Sequence, residues 1–245
     1  MSMDALRRSL FVPVVFVIAA LAAFVALGTW QVERKAWKET LIAELDRKLS
    51  APPTDLPARE RWPQLNPAAD EFRRVAFPAE FLGDEALVYS SGSSLRPDAA
   101  GPGYWVFAPA RLTGGSLVVV NRGFVPEGKQ DPAGRQKPSD VVDIVGAMRW
   151  PEARGTFTPA DDPAKNLWFA RDPAAMAAAK NWGTIAPFYI DQEAPPAPGG
   201  LPRVAPLKPS LTNNHLQYAI TWYGLALVTL VAAIFFVRAQ RRGDA

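Results

Sequence analysis

Two long apolar runs frame the chain, and between them hydrophobic positions alternate over short stretches. Residues 10–27 hold 18 positions without a charge, and residues 218–237 hold 20. As helices these runs would be about 27 and 30 Å long, the thickness of a bilayer's hydrocarbon core. Pro13 falls in the first turn, where a missing backbone N–H costs little. Gly28-Thr29-Trp30-Gln31 makes a poor cleavage site, so the first run reads as a retained anchor rather than a signal peptide. Trp30, Arg34, Trp37 and Leu41 then recur at helical spacing, and no breaker intervenes before about Leu49. The first helix is therefore expected to continue past the membrane as a stalk.

The middle of the chain changes period. Residues 74–81, 86–89, 104–112, 116–124, 141–148, 167–170 and 185–190 are short runs rich in Val, Tyr, Phe and Trp, which predict strands. Thr113-Gly114-Gly115 between two of them signals a hairpin, because glycine supplies the positive φ of tight turns. Residues 173–180 predict one short helix. The fold class expected is a membrane α+β protein. Two transmembrane helices flank a mostly antiparallel β domain, a small barrel or sandwich, with a short helix.

The divisions follow composition: N-terminus 1–9, first span 10–27, stalk 28–50, proline-rich linker 51–66 and β-rich domain 67–193. A second proline-rich linker at 194–211, the second span with its outer first turn at 212–237 and the C-terminus 238–245 complete them.

Charge sets the expected orientation. Arg7 and Arg8 precede the first span, and Arg238, Arg241 and Arg242 follow the second, which puts both termini in the cytoplasm and the main domain outside it. Arg34, Lys35 and Lys38 argue the other way, but two concordant ends outweigh them. Nine residues ahead of the first span leave no room for a transit peptide, so a bacterial plasma (inner) membrane with a periplasmic domain is expected.

Composition narrows the chemistry. The absence of cysteine excludes thiol redox and thiolate copper delivery, and one histidine with four methionines offers no zinc set. A net charge of +3 spread along the chain gives no basic stripe for nucleic acid. Gly-x-Ser-x-Gly and phosphate-loop motifs are missing, and a triad would have only His215 to use. The neighbouring acids Asp161-Asp162 and Asp84-Glu85 read as loop turns, so no enzyme is expected.

His215 is the residue that could carry chemistry. Thr212 or Asn213 can cap the second long helix, which places His215 in its first turn, with Ala219 and Ala226 continuing its face and Trp222 two turns below. A single imidazole in an aromatic, apolar surround suits haem iron, since a porphyrin supplies four nitrogens and the protein need add only one or two ligands. Trp30, Trp37, Tyr218, Trp222 and Tyr223 can equally be aromatic-belt residues, and Arg34, Lys35 and Lys38 can equally meet lipid phosphates.

Six blocks in order resemble the Surfeit locus protein 1 family. They are Leu27-Gly28-Thr29-Trp30-Gln31 with Arg34, Trp37 and Lys38; Gly103-Tyr104 with Pro109; and Val120-Asn121-Arg122-Gly123-Phe124-Val125-Pro126. Then follow Asn166-Leu167-Trp168-Phe169-Ala170-Arg171-Asp172 with Met176-Ala177; Phe188-Tyr189-Ile190-Asp191; and Asn213-Asn214-His215-Leu216-Gln217-Tyr218-Ala219-Ile220-Thr221-Trp222-Tyr223. Phe124 departs from the tryptophan expected there, and Ala108 from a polar residue. The resemblance implies a non-enzymatic assembly factor for haem-copper cytochrome c oxidase that binds haem a and assists its insertion into the catalytic subunit. Its implied partners are that subunit, other oxidase assembly factors and the lipid bilayer. It implies His215 as ligand to the haem iron. On that reading Trp222, Tyr218 and Trp30 line an apolar slot between the outer helix ends, and Arg34 or Lys38 meets a propionate. A membrane-anchored scaffold that never binds haem is the rival, and it would act through Asn121, Arg122, Gly123, Trp168, Arg171 and Asp172.

Overall fold

The computed structural model describes residues 3–93, 95, 96, 98–136, 138, 140–208 and 212–243. It divides into two compact units, Met1–Ala43 with Leu211–Ala245, and Glu44–Ser210.

The helix α1 (Met3–Ser50) runs uninterrupted through Pro13 and lies in the first unit as far as Ala43, where α4 (His215–Gly243) runs antiparallel to it. Both helices are long and apolar enough to cross a membrane. Gln31, Ala219 and Ala226 are buried and Phe24, Trp222 and His215 half-buried, at alternating three- and four-residue steps. That spacing is the seam of two helices packed side by side. Gly28 lets them approach: a Cβ there would lie 2.8 Å from the Tyr223 ring. Phe24 stacks on Trp222 with ring centroids 5.8 Å apart.

The second unit holds β1 (Thr54–Asp55), α2 (Pro67–Asp70), β2 (Arg74–Phe81), β3 (Ala86–Ser90), β4 (Gly103–Leu112) and β5 (Leu117–Pro126). It continues with β6 (Val142–Arg149), β7 (Leu167–Trp168), α3 (Pro173–Lys180) and β8 (Ile185–Ala194). All seven predicted strands are present, and the short helix has its predicted bounds. The sheet order is β1-β2-β6-β8-β5-β4-β3-β7, with a further short pairing of β2 with β4 at Ala79–Phe81.

This is a mixed eight-stranded sheet with ends at β1 and β7, and not the expected barrel or sandwich. Among the described residues the pairings β1–β2, β3–β7 and β5–β8 are parallel. The physical reason lies in β5 and β8, which are buried along nearly their whole length. Strands covered on both faces read as continuous apolar runs and tolerate parallel pairing at the sheet centre. Alternation still sorts their side chains. Val118, Val120, Phe188 and Ile190 join one core with Val75, Phe77, Ile144 and Met148, while Val119 and Tyr189 join the other with Trp105, Phe107, Trp168 and Met176.

Both segments expected as linkers contribute to this fold. Trp62 of the 3₁₀ turn Arg59–Gln64 enters the first core, donating Nε1–H to the Pro57 carbonyl at 2.8 Å and meeting Phe188 edge-on. Arg203 pairs with Phe124 through two backbone hydrogen bonds, and Leu207 is buried.

Candidate functional site

The helix pair positions His215. It opens α4, where the Tyr218 N–H reaches back to the Asn214 carbonyl at 3.3 Å. Among the described residues neither Thr212 nor Asn213 caps the helix with its side chain, and Asn213 Oδ1 is buried without a hydrogen-bond partner. Instead the Thr212 carbonyl accepts a hydrogen bond from Lys38 Nζ. The half-buried His215 ring meets Gln31, only 9% exposed, with 2.7 Å between Nδ1 and Oε1. An amide oxygen only accepts, so this contact needs a proton on Nδ1, and in the tautomer that carries it Nε2 is the nitrogen with the lone pair. This is how ligating histidines are oriented in metalloproteins, through the nitrogen that does not touch the metal.

The other expected site residues divide. Trp222 lies in the seam, with its ring committed to Phe24. Trp30 and Tyr218 lie outside it, 53% and 55% exposed. The Arg34 guanidinium stacks on Trp37, 3.8 Å from the ring centroid. Gln31 and Ala219 are buried in the seam between the outer helix ends. The apolar groove between the helices, about 850 Å³, is lined by Pro13, Val17, Leu21, Val228 and Ile234. Its nearest residue on α4 is 13 positions from His215, roughly 20 Å along the axis. Gln31 was not singled out from sequence. The signal available was its heptad spacing from Phe24 and its place beside Gly28 and Thr29. Tyr223 packs over the Gly28 position and its hydroxyl lies 3.2 Å from Thr29 Oγ1.

The β domain carries a second set of family-block residues. Asn121 Nδ2 donates to Asp191 at 2.6 Å, and the Gly123 N–H donates to Asn121 Oδ1 at 3.2 Å. Arg149 bridges Asp191 at 3.2 Å and Glu71 at 3.1 Å. Burial opposes the Arg149 charge, but Tyr189, Asp191 and Glu71 outweigh it and hold the guanidinium above its ordinary value. Gly123 has φ +116°, and a Cβ on it would stand 2.1 Å from the Arg203 carbonyl oxygen, so only glycine fits. Asp172 caps α3 by accepting from the Ala174 and Ala175 N–H groups, while Arg171 lies over the Trp105 ring and pairs with Glu152 at 3.5 Å. These are fold-holding roles. The two departures from the family pattern are packed as well: Phe124 meets Trp105 edge-on in the core, and Ala108 is buried.

The acid pairs are occupied. Asp161 takes Arg154 and the Phe169 N–H, Asp162 takes Lys165, Asp84 takes Trp182 and Lys180, and Glu85 takes Arg135. Among the described residues no three His, Cys, Asp or Glu side chains could hold a metal ion.

Fold and site together define a β-sheet protein framed by two membrane-capable helices, with one oriented imidazole on the helix pair. Comparison with known proteins supplies the family. The SURF1 family matches residues 18–227. A SURF1-like protein of Monosiga brevicollis is 36% identical over 225 residues, covering 86% of this chain and 82% of its own length. Surfeit locus protein 1 of Rattus norvegicus is 35% identical, covering 87% of this chain and 72% of its own. That of Homo sapiens is 34% identical, covering 89% and 75%. The chain belongs to the SURF1 family.

Proposed function

We propose that this chain is an assembly factor for haem-copper cytochrome c oxidase, binding haem a through His215 and assisting its insertion into the catalytic subunit. The observation that carries the reading is the Gln31–His215 hydrogen bond, which leaves Nε2 as the nitrogen with the lone pair on a half-buried ring. The donor set suits one axial bond to a porphyrin iron, which needs an imidazole and little else from the protein. Bound haem would bring its own metal and macrocycle, and the chain would supply ring orientation through Gln31 and an apolar flank. Arg34, if released from Trp37, and the exposed Trp30 and Tyr218 are the groups nearest in sequence that could meet the rest of the molecule. Family membership and the two apolar helices support a membrane setting. The bacterial inner membrane, the cytoplasmic termini and the periplasmic β domain belong to the proposal, and charge bias supports them.

The test is the visible spectrum and extracted haem content of the protein, purified from cells that make haem a, beside His215→Ala. Haem a is expected in the first and lost from the second. A wild-type protein that never carries haem a, or a variant that keeps it unchanged, overturns the assignment. Retained capture of an oxidase subunit by haem-free protein would favour the scaffold reading instead.

A further inference from the structure

Arg122 is a family-block side chain of the β domain whose position its hydrogen bonds do not explain. It is 6% exposed, yet among the described residues its guanidinium donates a hydrogen bond to no oxygen. Its only close partner is the face of Phe81, with Cζ 4.7 Å from the ring centroid. The acid it senses, Glu85, is already held by Arg135 through both carboxylate oxygens. Among the described residues two guanidinium groups therefore share one carboxylate, an excess of one positive charge at a largely buried position. Buried charges are normally paired, because desolvation is costly unless an opposite charge compensates it.

The guanidinium borders a small cavity of about 110 Å³. Its walls include Phe81, Val142, Pro138, Pro195, Pro196 and Pro198. Prolines have no N–H, so they offer an incoming group shape and no competing donor. Gln192 also lines the cavity, but its Nε2 is spent on the Pro195 carbonyl at 2.9 Å. Because Phe81 covers one face of the guanidinium, the N–H edge, which lies in the guanidinium plane, is the part left to bind. The volume falls below the roughly 300–1,000 Å³ of pockets for drug-sized ligands, and a porphyrin or nucleotide does not fit.

We infer that this proline-walled cavity is a carboxylate-binding site, with Arg122 gripping both oxygens of the guest. The planar fork of arginine matches a carboxylate in two parallel hydrogen bonds, which a single spherical anion does not satisfy. The carboxylate comes either from a small free acid or from the end of a polypeptide chain, and the same chemistry seats both.

The experiment is thermal unfolding of the full chain in detergent, in sodium formate against sodium chloride at equal ionic strength, for wild type, Arg122→Met and Arg122→Lys. Formate at about 100 times its Kd is expected to raise the wild-type midpoint by roughly 5–10 °C and to leave Arg122→Met unmoved. Without formate, Arg122→Met is expected to unfold at or above the wild-type midpoint, because it removes an uncompensated buried charge. Arg122→Lys keeps the charge but not the fork, and should respond more weakly than wild type. Calorimetric titration of wild type with formate, with a short peptide bearing a free C-terminus and with its C-terminal amide separates the sources. Tighter binding of the peptide acid than of formate assigns a chain end, and the reverse assigns a small acid. A wild type that binds neither, or an Arg122→Met that melts well below wild type in chloride, overturns the inference.

Discussion

Replacing Gln31 by leucine isolates the contact on which the His215 assignment rests. Leucine keeps the bulk of the side chain in the seam but has no oxygen for His215 Nδ1–H, now 2.7 Å from its acceptor and largely shielded from solvent. The ring would lose the bond that sets its tautomer and its rotation. Removing such outer partners of a ligating histidine lowers metal affinity about 10–100-fold, equivalent to roughly 1.4–2.7 kcal/mol. Gln31→Glu keeps an acceptor at the same reach and should hold affinity within a few-fold of wild type. The assay is titration of purified protein with haem a, followed by its visible absorption, with far-ultraviolet circular dichroism as a check that the helices persist. Should Gln31→Leu bind as tightly as wild type while His215→Ala does not bind, the Gln31 contact is helix packing alone and the orientation argument fails.

Two further outcomes follow from the β domain. Gly123→Ala forces a Cβ to within 2.1 Å of the Arg203 carbonyl oxygen at φ +116°, and breaks the two Phe124–Arg203 backbone bonds. A loss of roughly 2–5 kcal/mol in urea unfolding is expected, and a change below about 0.5 kcal/mol would refute the close approach. Acid should also weaken the domain. Burial alone would raise the Asp84 and Asp98 carboxyls. Bonds from Trp182 and Lys180 to the first, and from Arg96 to the second, outweigh it and hold both below the ordinary 3.8. Their contribution is present above pH 3.8 and disappears as pH falls through the depressed values, so Asp84→Asn with Asp98→Asn should flatten the acid limb of the unfolding midpoint below about pH 4.

Strand positions were legible because alternation needs only the chain's own period. The seven predicted runs carry that period, whereas β1 spans only Thr54–Asp55 and has none. Pairing direction was less accessible. Nothing in residues 117–126 states that the strand's second partner, beside β4, is the distant β8, although the unbroken burial of both strands leaves a trace in their apolar runs. Proline-rich composition concealed Trp62 and Leu207, since it marks a segment as irregular and says nothing of whether it packs. Arg122 was named with the scaffold residues, but its setting was hidden for a related reason. It reads as an ordinary strand arginine until the 195–198 segment is seen to border it.

The helix pair shows how much of the site was written in two separated blocks. Gly28, Thr29 and Gln31 on α1 meet Tyr223 and His215 on α4, so each block explains the other across 184 residues of chain. Small residues do the same work on the opposite helix, where Ala219 at 2% exposure sits one turn from His215. The seam is packed at Gln31 and Ala219, and an apolar groove lies further along it toward Pro13 and Val228. On the proposed reading, His215 would hold the haem iron, with Gln31 fixing the orientation of its ring. Because His215 is the one histidine in the sequence, that reading predicts that a variant given a second histidine facing its Nε2 holds added haem a more tightly than wild type in a spectroscopic titration, and equal affinities would refute a site held by a single imidazole.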